Sequence, residues 1–121
     1  MAYVTLRDTA HVVPETVVTN DDLAKLMPTS DDWIQSHTGI KTRHVAINEN
    51  TPQLAAKVGQ KLSALTHVAP TDIVFIIVST ITPVSLSFST AFLVHAALVA
   101  TNAFAFDISA AFAGFIFVLT T

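Results

Sequence analysis

The segment Asp107-Ile108-Ser109-Ala110-Ala111-Phe112-Ala113-Gly114-Phe115 predicts a short strand that turns sharply into a helix rich in small residues. Asp107 is an isolated charge, because it is the only Asp, Glu, Lys or Arg from Ile73 to the end of the sequence. Phe112 sits in the turn, and its side chain has no lone pair to attack a carbonyl and no proton to transfer. Asp107 and Ser109 are the remaining candidates for chemistry in this segment.

Length and composition suit one folded domain covering residues 1–121. A net charge of −3 gives no sign of a nucleic-acid-binding surface. The sequence contains no cysteine, which excludes disulfides, thiolate metal ligands and cysteine nucleophiles within it. The lack of cysteine also fits a reducing compartment, and residues 1–20 lack the basic-then-apolar pattern of a secretion signal. We therefore expect a cytoplasmic location.

The second half of the sequence is strongly apolar, and two explanations compete for it. All six Lys and Arg residues precede Leu62. A membrane span would need an apolar run of roughly 20 residues. The longest runs, residues 91–100 and 108–119, are shorter and contain His95 and Ser109. We therefore predict elements buried on both sides, inside a layered α/β domain or against another chain.

Capping and turn signals divide the chain into alternating strands and helices. Thr19 and either Thr29 or Ser30 are predicted N-caps, and Pro28 and Gly39 are predicted helix ends. The predicted strands are residues 2–6, 42–47, 73–78 and 103–108. The predicted helices are residues 20–27, 30–38, 89–99, 110–119 and one that starts at Thr51-Pro52 with the apolar stripe Leu54, Val58, Leu62 and Leu65. This alternation predicts an α/β fold with a mixed, mostly parallel sheet and helices on both faces.

A series of short motifs follows in a characteristic order. They are Pro14-Glu-Thr-Val-Val-Thr-Asn-Asp-Asp-Leu23, Thr29-Ser-Asp-Asp-Trp-Ile34, Thr38-Gly-Ile40, Arg43-His44, Asp72-Ile-Val-Phe-Ile-Ile-Val-Ser-Thr80, Ser89-Thr-Ala91 and Ala105-Phe-Asp-Ile-Ser-Ala-Ala111. The ordered set resembles β-ketoacyl-acyl-carrier-protein synthase III, the family of thiolase fold that starts fatty acid elongation. The resemblance covers nearly the whole chain. It implies that the chain corresponds to the first part of the N-terminal half of a thiolase-like fold, so that this half is incomplete.

The resemblance implies that position 112 is the nucleophile position of the family. There a cysteine at the N-terminus of a buried helix takes an acetyl group from acetyl-CoA, and the helix dipole stabilises its thiolate. A later histidine and asparagine assist the decarboxylation of malonyl-acyl-carrier protein and the condensation. Here Phe112 replaces the cysteine, and the histidine and asparagine positions lie beyond Thr121. We therefore predict a truncated relative without a catalytic residue, in which the Phe112 ring enters the cavity of the thiol and acyl group.

The resemblance also implies four substrate-binding positions. Trp33 corresponds to the aromatic residue on which the family stacks the adenine of CoA, and Thr29 to a nearby contact. His37 stands where the family often has an arginine for the CoA phosphates, and it is a weaker, pH-dependent donor. Phe88 resembles a loop aromatic that enters the partner subunit's acyl pocket. From the residues alone, Trp33 is better explained as an amphipathic-helix anchor, and core packing explains Phe88 equally well.

The other polar residues predict no second site. The remaining histidines have no metal-ligand spacing, so we predict neither a metal nor a bound cofactor; they are His11, His44, His67 and His95. Asp107 is expected to form local hydrogen bonds that shape the strand-to-helix turn. Ser109 lacks the Gly-x-Ser-x-Gly setting of a serine hydrolase.

Several glycines of the family are replaced in this chain. Asp8 and Ala10 stand at two of these positions, and Val99 stands at the end of the helix that precedes the Asp107 strand. A β-branched residue at a position that needs φ > 0 costs on the order of 1 kcal/mol or more. The chain is therefore expected to carry backbone strain near Val99.

Two non-catalytic functions remain open beside that of an inactive synthase relative. An uncharged strand at residues 103–108 would favour edge-to-edge pairing, either in a homodimer or with another synthase chain. The chain could also retain weak binding of CoA or acyl-carrier protein through Thr29, Trp33 and His37.

Overall fold

The computed structural model describes residues 5–121, which fall into two compact units. The small unit is Val13–Glu49, and the large unit combines the described residues up to Val12 with Asn50–Thr121. The strand predicted at residues 2–6 lies mostly outside the described residues, and Thr5 and Leu6 are not in a strand. Among residues 5–121, no helix is long and apolar enough to cross a membrane.

The small unit is built from two short strands and two helices. Strand β1 (Val17–Thr19) pairs antiparallel with β2 (Thr42–His44), and helix α1 (Asn20–Ala24) follows β1 directly. Thr19 caps α1, as predicted, and it forms a capping box with Asp22. The hydrogen bonds from Lys25 and then Thr19 hold the pKa of the Asp22 carboxyl well below its usual value.

Helix α2 (Asp31–Thr38) begins and ends where its sequence signals predict. The Ser30 hydroxyl accepts a hydrogen bond from the Trp33 N–H, and Gly39 ends the helix at φ 71°. The predicted end of α1 at Pro28 is late, because α1 ends at Ala24. The residue before a proline is disfavoured in the helical conformation, so the chain leaves α1 before it reaches Pro28. The strand predicted at 42–47 is also shorter than expected and ends at His44.

The large unit contains a parallel strand pair with helices packed against it. Strand β3 (Phe75–Ser79) pairs with β4 (Phe104–Ile108), and Phe75 lies opposite Phe104. The connection between them contains helix α4 (Thr90–Leu98), and helix α5 (Gly114–Thr120) follows β4. Both helices contact the strand pair. The α/β fold predicted from the sequence is thus confirmed, with strands in two separate two-stranded sheets.

Helix α3 (Thr51–Thr66) packs against α4, and its buried residues are Pro52 and Ala56, whereas Leu54, Val58 and Leu62 of the predicted stripe are half-buried. A side chain at Gly59 would come within 2.7 Å of Leu98 Cδ1, so the two helices meet closely at this point. Leu65 is exposed, which corrects its predicted inward position. The cap is Asn50 instead of Thr51, because the Asn50 side chain accepts from the Gln53 N–H and completes a capping box.

The core of the large unit lies where α4 meets the strand pair. Val94, Leu98 and Ala100 are buried there. The half-buried residues packed against them are Ala55, Ile73, Ile76, Val78 and Ala103. Every one of these side chains is apolar, so the stability of the large unit rests on hydrophobic burial at this junction.

Val99 ends α4 in the left-handed conformation, at φ 57° and ψ 38°. Its N–H donates to the carbonyls of Ala96 and His95, in the manner of a residue that terminates a helix. A β-branched side chain is strained in this conformation, whereas glycine is not. The strain expected from the sequence at Val99 is therefore present in the fold.

Replacing Val99 with glycine should stabilise the large unit by about 0.5 to 1 kcal/mol, because relief of strain exceeds the added flexibility of the unfolded chain. Urea unfolding followed by far-ultraviolet circular dichroism measures the change. Val99→Ala is the matched control, since it removes the β-branch but keeps a Cβ, and its gain should be smaller. A lower midpoint for Val99→Gly would show that this position is not strained.

Candidate functional site

Phe112 lies in a tight turn between β4 and α5. The turn is a single 3₁₀ turn over Ala111–Ala113, and Ala111 adopts φ 44°. This left-handed residue directs the chain outward, and the Phe112 side chain is fully exposed. The described residues therefore do not enclose the ring, although Phe112 lines an open cleft, and its entry into the cavity of the thiol and acyl group stays a prediction. Position 112 also precedes the first residue of α5, Gly114, by two positions.

The start of α5 lies against the end of β3. A Cβ on Gly114 would clash with the Ser79 side chain, whose Cβ would be only 2.9 Å away. A cleft of about 310 Å³ lies beside this contact, lined by Ser79, Thr80, Ile81, Thr82, Ala111 and Phe112. None of these side chains titrates near neutral pH. Serine and threonine hydroxyls are weak nucleophiles without an adjacent general base, so the cleft lacks the groups of an acyl-transfer site.

Asp107 binds the N-terminus of α4. Its carboxylate accepts hydrogen bonds from the Thr90 N–H at 2.6 Å and from the Ala91 N–H at 2.7 Å. An anion is favourable at this end of a helix, where free N–H groups and the dipole point toward it. The prediction that Asp107 forms hydrogen bonds within the turn after β4 is therefore wrong, because its partners lie at the start of α4. The carboxylate joins β4 to the helix that precedes it.

A second cleft lies in the small unit at the start of α2. It has a volume of about 340 Å³ and is lined by Pro28, Thr29, Ser30 and Trp33. The indole of Trp33 is 57% exposed, so it is not the buried helix anchor that its residue type alone suggests. The Thr29 hydroxyl oxygen is buried and has no hydrogen-bond partner within the described chain. An aromatic face and a free hydroxyl thus border the same cleft.

His37 lies beside Trp33 in the last turn of α2. Its ring stacks on the indole, with centroids 4.3 Å apart and planes inclined by 21°. His37 Nδ1 lies 2.8 Å from the Trp33 carbonyl oxygen and 3.1 Å from Ser36 Oγ. The structure therefore brings Thr29, Trp33 and His37 together in the small unit.

Phe88 belongs to the large unit, in the irregular segment before α4. Its side chain is 62% exposed, so it does not pack in the core. Its N–H donates to Ser85 Oγ at 3.3 Å. The loop position inferred from the resemblance is consistent with this exposure, and its proposed contact with another subunit stays a prediction.

A buried polar network under α2 was missed by sequence reasoning. Asn20 is 1% exposed, and its Nδ2 donates to Asp31 Oδ1 at 2.7 Å and to the Ile40 carbonyl at 2.8 Å. Its Oδ1 accepts from Arg43 Nη2 at 2.5 Å. The network joins α1, both ends of α2 and strand β2. No helical or strand periodicity marks Asn20 as buried, but its position directly after the Thr19 cap was a usable signal.

Comparison with known proteins finds relatives that are about half identical to this chain over its full length. The β-ketoacyl-[acyl-carrier-protein] synthase III of Lactococcus lactis subsp. lactis strain IL1403 is 52% identical over all 121 residues, which span 37% of that protein. The corresponding protein of Streptococcus sanguinis strain SK36 is 51% identical with the same coverage. No family model matches the chain.

A solved structure gives the same result for the fold. The crystal structure of 3-oxoacyl-[acyl-carrier-protein] synthase III from Aquifex aeolicus VF5 matches 93% of this chain and 36% of its own chain. The TM-score is 0.89 at 41% sequence identity. The chain thus spans little more than a third of the length of these relatives. By sequence and fold it corresponds to the N-terminal part of β-ketoacyl-acyl-carrier-protein synthase III, which has a thiolase-like fold.

Proposed function

We propose that the chain is a catalytically inactive member of the synthase III family and that it is cytoplasmic. The observation that carries the proposal is Phe112, at the position that the resemblance gives to the nucleophilic cysteine. The 121 residues contain no cysteine that could replace it. Acyl transfer in this family needs a thiolate, and a phenyl ring cannot form a thioester.

The surroundings of Phe112 support the proposal. The adjacent cleft holds only hydroxyl-bearing and apolar side chains. Condensation after decarboxylation of a malonyl thioester requires groups that move protons and stabilise negative charge. Asp107 does not serve here, since its carboxylate is engaged by the N–H groups of Thr90 and Ala91.

A condensation assay with acetyl-CoA and malonyl-acyl-carrier protein tests this proposal. We expect no β-ketoacyl product from the chain, and none from Phe112→Cys, because restoring the thiol restores no proton-transferring partner beside it. The Lactococcus lactis relative is the positive control. Turnover by the unmodified chain would overturn the proposal, and turnover by Phe112→Cys would show that the thiol alone was missing.

A second candidate function is assembly with another chain through β4. Within residues 5–121, β4 pairs only with β3, and Phe75 and Phe104 at the start of the two strands are both more than half exposed. Four exposed apolar side chains follow on α5: Phe115, Ile116, Phe117 and Leu119. Exposed apolar surface next to an open strand edge favours association with a like surface, in a homodimer or with a synthase chain.

Sedimentation velocity tests assembly. We expect a dimer that Phe104→Asp weakens, because the substitution places a charge beside the edge of β4. Leu26→Asp is the matched control, since Leu26 is equally apolar and is 80% exposed in the small unit. A monomer at all accessible concentrations would remove this candidate.

A third candidate function is residual binding of CoA or acyl-carrier protein at the Trp33 cleft. Thr29 and Trp33 line the cleft and His37 stacks on Trp33, and the resemblance assigns these three positions to CoA recognition. Trp33 is the only tryptophan, so its fluorescence reports binding directly. We expect CoA to change this fluorescence and calorimetry to detect binding that Trp33→Ala abolishes.

A further inference from the structure

One edge of β3 has no partner strand within residues 5–121. Its other edge pairs with β4, where the Val74 carbonyl accepts a hydrogen bond from the Phe104 N–H at 2.8 Å. In a parallel pair, the N–H and C=O of one residue point to the same edge of the strand, and successive residues point to opposite edges. The backbone groups of Phe75, Ile77 and Ser79 therefore point away from β4.

The unpaired edge of β3 borders a groove of about 610 Å³ in the large unit, the β3 groove. Every residue of β3 lines this groove, and α3 covers one side of it with Ala55, Val58 and Leu62. The hydroxyls of Ser63 and Thr66 line it as well, but each donates a hydrogen bond to a backbone carbonyl. The walls formed by α3 and β3 are thus mainly apolar, and the backbone of β3 supplies the hydrogen-bonding groups.

These two properties select an extended polypeptide as the ligand of the β3 groove. An alkyl chain would fill the groove, but it would remove the N–H and C=O groups of β3 from water without replacing their hydrogen bonds, which is unfavourable. A strand added along β3 pairs with those groups and also buries apolar side chains. The sequence of β3, Phe75-Ile-Ile-Val-Ser79, contains no charge or proline, and such residues are what keep natural sheet edges from pairing.

We propose that the β3 groove binds an extended segment of another polypeptide, which adds to the sheet as a strand beside β3. A segment of 5 residues matches the length of β3. Its backbone pairs with Phe75, Ile77 and Ser79, and its side chains directed toward α3 are apolar and uncharged, because the wall formed by α3 is apolar. This interaction uses the edge of β3 opposite to β4, so it is independent of assembly through β4.

The described residues of the same chain do not occupy this edge. Thr5 and Leu6 lie outside any strand, and the Leu6 side chain is 76% exposed. Arg7 and Asp8 line the groove, but charged side chains are rarely placed in a strand that is covered on both faces. The edge is therefore open to a segment from another chain.

Binding of a blocked hexapeptide of alternating valine and threonine, measured by calorimetry, tests the proposal. We expect saturable binding to the parent chain. The same peptide with methylated amide nitrogens should bind at least about tenfold more weakly, because it cannot donate hydrogen bonds to β3. Val58→Asp should weaken binding to a similar degree, since it places a charge in the groove wall. Gln60→Asp is the matched control, because Gln60 is exposed on α3 and lies outside the groove.

Hydrogen exchange locates the bound peptide without any substitution. The amides of Phe75, Ile77 and Ser79 should exchange at least about tenfold more slowly when the peptide is bound, because their N–H groups become donors to it. The amides of Ile76 and Val78 face β4 with or without the peptide and should change little.

A variant lacking residues 1–6 separates the two sources of a strand. Equal binding of the peptide by this variant and by the parent chain supports an occupant from another polypeptide. Binding by the variant alone would assign the edge to the chain's own first residues and overturn the proposal. Absence of binding to both proteins, undiminished binding of the methylated peptide, or slower exchange at Ile76 and Val78 instead of at the three outward amides would also overturn it.

Discussion

Replacing Asp107 with alanine should lower the free energy of unfolding by about 3 kcal/mol, because two buried N–H groups lose their acceptor. Thr90 and Ala91, which donate to the carboxylate, are both completely buried. Water cannot easily replace the lost carboxylate at such a site. The substitution also removes the negative charge that faces the α4 dipole. Urea unfolding measures the loss, and the amide hydrogens of Thr90 and Ala91 should exchange faster in the variant.

Two control variants show whether the loss of stability in Asp107→Ala comes from the lost hydrogen-bond acceptors. Asp107→Asn keeps the size of the side chain and one acceptor oxygen, so it should lose less stability than alanine does. Asp72→Ala removes an exposed carboxylate elsewhere in the large unit and should change the free energy of unfolding by under about 0.5 kcal/mol. A loss below about 1 kcal/mol for Asp107→Ala would contradict the cap, because that is the scale of one ordinary hydrogen bond.

Replacing Asn20 with alanine should destabilise the small unit by about 2 to 4 kcal/mol, because three buried hydrogen bonds are lost together. Asp31 keeps its bond from Gln35, and Arg43 keeps a long contact of 3.4 Å with the Val18 carbonyl, so neither charge is left wholly unpaired. The Ile40 carbonyl loses the Asn20 side-chain donor. Unfolding of the small unit can be followed by Trp33 fluorescence.

Asp21→Ala is the matched control for Asn20→Ala. Asp21 lies in the same turn of α1 and is exposed, so its loss should leave the fluorescence midpoint nearly unchanged. Asn20→Asp gives a second comparison. It can still accept from Arg43, but it places a carboxylate beside Asp31 Oδ1 and should therefore destabilise the unit through charge repulsion. A neutral effect of Asn20→Ala would show that the network is not required.

Local signals in the sequence predicted the starts and ends of most elements. Thr19 and Ser30 cap their helices, Gly39 ends α2, and strand β4 lies within one residue of its expected bounds. These features depend on a few neighbouring residues, so the sequence contains all that is needed to infer them. The strain at Val99 was also predictable, because the family resemblance marked the position as one for glycine.

Features that depend on distant contacts could not be predicted in the same way. The sequence shows that Asp107 is an isolated charge, but the amides that it binds are 16 and 17 positions earlier and reach it only through the fold. The direction of Phe112 depends on the left-handed Ala111, which no local residue preference indicates. The stacking of His37 on Trp33, in contrast, follows from their spacing of four residues in one helix, which is a local signal.

We propose that this chain keeps the fold of a synthase III N-terminal region but does not transfer acyl groups. Intact-protein and peptide mass spectrometry after incubation with acetyl-CoA measures acyl transfer to the chain itself. We expect the peptide containing residues 110–116 to carry no acetyl group, whereas the corresponding peptide of the Lactococcus lactis relative, the positive control, should be acetylated. An acetyl group on residues 110–116 of the parent chain would overturn the proposal.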